Sequence, residues 1–108
     1  MKRIIDSLDD LGRFSEPALL IMISLADGPK HGYAMTTDIE QVSGQKLGPG
    51  TLYGAIARLE EREWIEALPA EDRRRPYKLT GAGTKVLKAR LDSLRVMARI
   101  GNARLAEL

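Results

Sequence analysis

Two Gly-Pro pairs, Gly28-Pro29 and Gly48-Pro49, constrain this chain more than any other feature, because each ends one helix and makes the next begin after a turn. Gly44, just before the second pair, adds a left-handed stop. The first half is therefore cut into short helices. Ser15 before Glu16 and Pro17 is a start signal, since a Ser hydroxyl accepts from free N–H groups and proline suits a first turn. The first core helix then covers about Glu16 to Asp27 and is apolar nearly all round. A second follows from about Lys30 to Ser43, with Tyr33, Ala34, Ile39 and Val42 available for burial. The third opens at Gly48-Pro49, where Leu52, Ile56 and Leu59 form an inward stripe. Its outward face is Gly50, Tyr53, Gly54, Ala57, Arg58 and Glu61. Upstream, Ile4, Ile5, Leu8 and Leu11 recur at helical spacing, which predicts a short amphipathic helix within residues 1–14.

After Trp64 the period changes from helical to two. Trp64, Glu66 and Leu68 alternate with Ile65 and Ala67, and beyond a turn at Pro69-Ala70-Glu71-Asp72 a second strand covers about Pro76 to Thr80. Thr80 caps a last helix reaching toward Leu108, in which Leu87, Leu91, Leu94, Ala98, Gly101 and Leu105 fall at alternating steps of four and three. A mainly α chain of three helices followed by a small β-hairpin is a winged helix-turn-helix, here over residues 15–83. The leucines of the last helix predict a homodimer joined through residues 84–108, with Leu87, Leu91, Leu94, Ile100 and Leu105 in the seam and the N-terminal helix in support. Length points the same way. A chain of 108 residues buries only about two-thirds of its unfolded surface, so burial shared with a second copy helps it.

The chain has no Cys and one His, which excludes disulfides, thiolate metal sites, thiol nucleophiles and most zinc or acid/base constellations. No cofactor, no metal and no enzymatic activity are expected, since no nucleophile–base pair or Gly-rich phosphate loop is present. The longest apolar run, Ala18 to Ala26, is broken by Ser24 and falls far short of the roughly 20 residues that span a bilayer. Asp6, Asp9 and Asp10 stand where a signal peptide would place its apolar stretch, so a cytoplasmic protein with no membrane partner is expected. Net charge is only +2, yet Glu71 to Gly83 carries four cations against two anions and Thr84 to Leu108 six against two. Basic residues gathered in the last third fit a nucleic-acid partner.

His31-Gly32-Tyr33, Gly50-Thr51-Leu52-Tyr53, Leu59-Glu60 and Arg75-Pro76-Tyr77-Lys78-Leu79-Thr80-Gly81-Ala82-Gly83, in this order and spacing, resemble the PadR family of bacterial transcriptional regulators. The resemblance covers about Glu16 to Gly83. It implies a winged helix-turn-helix bound to double-stranded DNA, a dimer joined through C-terminal helices, and repression of neighbouring genes relieved by a small-molecule effector. Two departures stand out. Glu63 occupies a place where the family commonly has glycine, which predicts a different end to the third helix, because a left-handed Glu costs about 1 kcal/mol or more. After Gly83 about one helix remains, as in short-tailed members.

The residues also have readings of their own. A helix entering the major groove needs small outward residues near its N-terminus and a few polar contacts. Gly50, Thr51, Tyr53, Gly54, Ala57 and Arg58 meet that need, and Gly54 is the most telling, since glycine inside a helix costs about 0.5–1 kcal/mol against alanine. Thr51 and Tyr53 bring hydroxyls to phosphate or base edges, or serve as a first-turn residue and half-buried packing. Arg58 suits a phosphate or an i, i+3 pair with Glu61. Arg73, Arg74 and Arg75 at the hairpin tip suit the minor groove or flanking phosphates, and outnumber the adjacent Glu71 and Asp72. Lys78 is a further candidate. Tyr33 meets phosphate, as the family pattern implies, or joins the core. His31 is expected to shape the entry to the second helix, and Trp64 to anchor the hairpin. The last helix has no aromatic residue, which leaves an effector only an aliphatic groove of Leu91, Leu94, Met97 or Ile100. The rival reading is a protein-binding winged helix without DNA contact, suggested by Glu60, Glu61 and Glu63.

Overall fold

The structure, a computed structural model, describes residues 17–108. The helix expected within residues 1–14 lies outside the described residues. The elements, in order, are α1 (Pro17–Ala26), β1 (Lys30–His31), α2 (Gly32–Ser43), α3 (Pro49–Glu61), β2 (Ile65–Ala67), β3 (Pro76–Leu79) and α4 (Gly81–Leu105). The three strands form one antiparallel sheet in the order β1-β3-β2.

The apolar circumference of α1 follows from its position. It packs against α2, α3, β3 and α4, and buries Leu20, Ile21, Met22 and Leu25. Ser24 on the same helix is buried but satisfied, its hydroxyl donating to Asp38 Oδ2 at 2.6 Å. Lys30 Nζ donates to the Ser24 carbonyl and lies 3.6 Å from Asp27, placing a cation at the negative end of α1.

Helix α2 starts two residues later than the pattern suggests, because Lys30 and His31 stay extended and pair with β3, Lys30 opposite Tyr77 and His31 opposite Pro76. A two-residue strand has no period to read. Gly44 ends α2 at φ 74, its N–H donating to the Glu40 carbonyl at 2.8 Å, as its residue type predicts. Burial on α2 differs from expectation. Met35 and Ile39 fill the core, whereas Tyr33 is 75% and Val42 63% exposed. Tyr33 lies off the Met35–Ile39 stripe, and Val42 sits in the last turn beyond the buried cluster.

Gly48 and Pro49 open α3 as predicted, and Leu52, Ala55, Ile56 and Leu59 face inward. The far end of α3 corrects the expectation for Glu63. Glu63 adopts φ 61, donates to the Glu60 carbonyl at 2.9 Å, and leaves Trp64 N–H on the Leu59 carbonyl at 3.0 Å. These are the two bonds of a Schellman ending, made without glycine. The turn is held from outside, since Thr80 Oγ1 donates to the Glu63 carbonyl at 2.7 Å and Thr80 N to the Trp64 carbonyl at 3.0 Å. Glu63→Gly is therefore expected to stabilise the protein by about 1 kcal/mol, because it removes the left-handed penalty and leaves the backbone bonds intact. Urea unfolding of both proteins checks this; an unchanged or lower midpoint contradicts it.

Strands β2 and β3 pair Ile65 with Leu79, Glu66 with Lys78 and Ala67 with Tyr77. Thr80 caps α4 by accepting from Gly83 N at 3.0 Å. Gly83 lies so close to the Trp64 carbonyl that a Cβ there would overlap it, which seats α4 against the start of the wing. Leu87, expected in a dimer seam, is only 5% exposed and belongs to the protomer's own core. The first turns of α4 pack on α1, so the free stripe begins later, at Leu91. From Met97 onward every residue is exposed.

Candidate nucleic-acid interface

The N-terminal half of α3 meets the requirements of a helix that approaches a polyanion. Gly48 offers no side-chain cap, Pro49 has no N–H, and Leu52 is the first residue of α3 whose N–H reaches back into the chain, to the Gly48 carbonyl at 3.0 Å. The N–H groups of Gly50 and Thr51 are left open on an exposed first turn that holds no acidic residue, so its partial positive charge stands unneutralised. A Cβ on Gly50 or Gly54 would meet open space, apart from Arg58 Nη1 at 3.7 Å from the Gly54 position. Arg58 thus lies back over Gly54; among the described residues no ion pair joins it to Glu61. Thr51, Ala57 and Arg58 are exposed, and Tyr53 is half exposed.

Tyr53 also holds α3 against α2. Its ring and hydroxyl cover buried Gly32 so closely that no Cβ fits between them. This fixes the hydroxyl at the mouth of a groove of about 260 Å3, lined by Tyr33, His31 and Gly32 on one side and by Tyr77 and Arg73 to Arg75 on the other. Tyr77 and Gly32 were not among the expected site residues. Both lie within the quoted motifs, but only the pairing of β1 with β3 brings them together. Burial, with the Glu60 carboxylate and Tyr53 nearby, raises the Tyr77 phenol above its ordinary value. It stays a neutral hydrogen-bond donor at physiological pH.

The wing turns two positions later than the sequence suggests. Glu71 N donates to the Arg74 carbonyl at 2.7 Å and Arg74 N to the Glu71 carbonyl at 2.8 Å, with Asp72 at φ 48 and Arg73 at φ 67 between them. Two positive φ angles in a two-residue loop make a type I′ turn, whose twist matches the flanking strands. Arg73 is therefore the tip, while Arg74 and Arg75 lie on the returning arm. Arg74 Nη1 lies 3.3 Å from His31 Nε2, and Arg75 Nη1 donates to the Leu68 carbonyl at 2.8 Å. Each contact uses one of five guanidinium donors. Lys78 is not brought to the groove. It alternates with Tyr77 along β3 and pairs with Glu66 on the facing strand at 3.0 Å.

Among the described residues no cluster of three or more His, Cys, Asp or Glu could hold a metal, and no helix is long and apolar enough to cross a membrane.

Three comparisons bear on this arrangement. A family model described as the transcriptional regulator PadR-like family matches residues 20–89. An uncharacterized 37.1 kDa protein in transposon TN4556 of Streptomyces fradiae is 48% identical over 82 residues, which are 76% of this chain and 24% of that protein. The chain thus spans about a quarter of the length of this curated relative. Among solved structures, a transcriptional regulator from Clostridium thermocellum superposes with a TM-score of 0.73 at 27% identity, over 86% of this chain and 92% of the other. A PadR family transcription regulator from Clostridium difficile R20291 shares the fold, with a TM-score of 0.76 at 24% identity over 84% of this chain and 99% of its own.

Proposed function

The chain belongs to the PadR-like family of transcriptional regulators, and from that premise we propose that it acts as a homodimeric repressor holding a palindromic operator, α3 in the major groove and the wing beside it. One observation carries this reading. The open, acid-free first turn of α3, with Gly50 and Gly54 on its outer face, stands next to a wing that presents three arginines. Small residues admit the duplex, free N–H groups and guanidinium groups meet phosphate, and the Thr51 and Tyr53 hydroxyls reach phosphate or base edges. Arg73, Arg74 and Arg75 supply the electrostatic part of the affinity and Arg58 extends it along the backbone. The protein acts by occupying DNA, and no chemical step is assigned to it.

The dimer rests on α4. Leu91 is 41% exposed, Met97 51%, Ile100 45% and Leu105 64%, with Leu94 half-buried beside them. An apolar stripe of that length on a surface helix is an interface signature, and a two-fold pairing would bring two copies of α3 to successive half-sites. Leu91→Asp tests the seam without touching the protomer core, unlike any change at Leu87. Sedimentation is expected to show a dimer for the natural chain at micromolar concentration and a folded monomer for the variant. A monomer in both cases, or a dimer in both, removes α4 from the interface.

The rival reading, a winged helix that binds protein, has exposed Glu60, Glu61 and Glu63 in its favour. These lie toward the C-terminal end of α3, away from the open first turn. Electrophoretic retardation of random duplex DNA at low salt separates the two. Retardation is expected; its absence with folded dimer favours the rival.

A further inference from the structure

Gly32 has no backbone reason to be glycine. It is the first residue of α2 and, unlike Gly28 and Gly44, it does not have a positive φ, so its conformation is open to any L-residue. It also differs from Gly50 and Gly54, whose outward positions have space for a Cβ. A Cβ on Gly32 would lie 2.9 Å from Tyr53 Cζ and 3.3 Å from Tyr53 Cε1, and closer still to the hydroxyl. The gap left by this glycine is therefore filled by the end of a side chain from another helix. Two grooves of about 260 Å3 each meet at the contact. One is the basic groove toward the wing, and the other is more apolar, lined by Thr36, Leu47, Pro49 and Leu52; Tyr33 and Tyr53 border both.

We propose that Gly32 is a positioning residue for sequence recognition: its missing side chain lets the Tyr53 ring lie back on α2, which sets how closely α3 approaches base edges and how α3 stands relative to the wing. This rests on the DNA-binding reading above. Tyr53 is 53% exposed and stands on the outward face of α3 between Gly50 and Gly54. With a Cβ at position 32 the ring cannot keep its place. The core beneath is filled by Met35, Leu52 and Ile56, all buried, so the ring's free direction is outward, toward the side that a duplex would occupy. Hydrogen bonds to base edges weaken steeply with a few tenths of an ångström, whereas the attraction of Arg73, Arg74 and Arg75 to phosphate falls off gradually. A displaced ring therefore costs sequence preference and leaves the electrostatic part of binding. The contact also reaches the wing. Gly32 directly follows β1, where His31 pairs with Pro76 at the foot of the arm that carries the three arginines. Tyr53 thus ties the reading helix to the same stretch of backbone from which the wing extends.

Affinity is measured for two fluorescent duplexes, the one that the natural chain enriches most from random DNA and a scrambled duplex of the same composition. Gly32→Ala is expected to lower the ratio of the two affinities about tenfold, the loss of one good hydrogen bond, while the salt slope set by the wing arginines holds. Tyr53→Ala removes the ring, so adding Gly32→Ala to it should change the ratio less than twofold, because residues that act through one contact are not additive. Should Tyr53→Ala not fold, Tyr53→Leu takes its place. A ratio kept by Gly32→Ala, an equal loss on both duplexes, or the same loss with and without the Tyr53 ring overturns the proposal and leaves DNA binding in place. Should Gly32→Ala alone not fold, the double variant decides: a ratio equal to that of the Tyr53 variant supports the proposal, and a tenfold lower ratio or an unfolded double variant overturns it. A natural chain that binds neither duplex, or prefers neither, overturns the DNA-binding reading, and this proposal with it.

Discussion

Gly54→Glu is expected to reduce operator affinity at least about a hundredfold, roughly 2.7 kcal/mol or more, with the fold intact. The Gly54 position opens outward, and among the described residues the group near a new Cβ is the flexible end of Arg58 at 3.7 Å. A side chain there does not meet the core. It meets whatever lies against α3. In the proposed complex that is the floor or wall of the major groove, so a glutamate adds both bulk and a charge of the same sign as the phosphates. Its carboxylate would also draw Arg58 into an i, i+4 pair, in place of its path back over the helix. Stability should hold or rise by about 0.5–1 kcal/mol, because glutamate is a better helix former than glycine. A drop in affinity joined to a gain in stability separates contact from misfolding. If the variant binds as the natural chain does, α3 is not the reading helix.

The second large effect is expected at the wing. Replacing Arg73, Arg74 and Arg75 together by alanine should weaken binding to operator and random duplex alike. Arginines in this position contact phosphate or an electronegative minor groove, and neither contact depends strongly on base identity. Each phosphate neutralised adds about 0.9 to the slope of log affinity against log salt. If half of the six wing arginines of a dimer touch phosphate, the slope flattens by roughly 3 units, and the loss of affinity is greatest at low salt. Within the triplet, Arg73 should count for most. It is the turn residue itself, whereas Arg74 leans on His31 and Arg75 ties the two arms of the wing through the Leu68 carbonyl. Arg75→Ala alone should therefore loosen the hairpin as well as remove a charge. A salt titration of the triple variant and the natural chain on both duplexes checks this; equal slopes would return the three arginines to a solvated loop.

What the sequence made legible was the part written in local chemistry. Gly44, the Gly48-Pro49 start and the Thr80 cap occupy the places their residue types demand, and the inward stripe of α3 follows from spacing alone. The remainder depended on contacts between distant residues. Strand β1 is two residues long, and only the edge of β3 makes it a strand. The stripe on α4 is continuous in sequence, yet its first leucine is covered by the protomer and later ones are not, a division that periodicity cannot draw. Glu63 keeps a glycine-type turn because Thr80 holds its carbonyl from across the wing. In the candidate site, the α3 residues were visible as a run of small outward positions. The engagement of Arg74 and Arg75, the loss of Lys78 to Glu66 and the inclusion of Tyr77 all arise from strand register.

If α3 and the wing of each protomer read DNA as a two-fold pair, the site they select has two-fold symmetry. Selection of binding sites from random duplex DNA with the purified protein tests this. A palindrome whose half-sites are centred about one helical turn, or a multiple of it, apart is expected to be enriched. A folded protein that enriches no sequence over the starting pool, or that enriches only a single unpaired half-site, would contradict it.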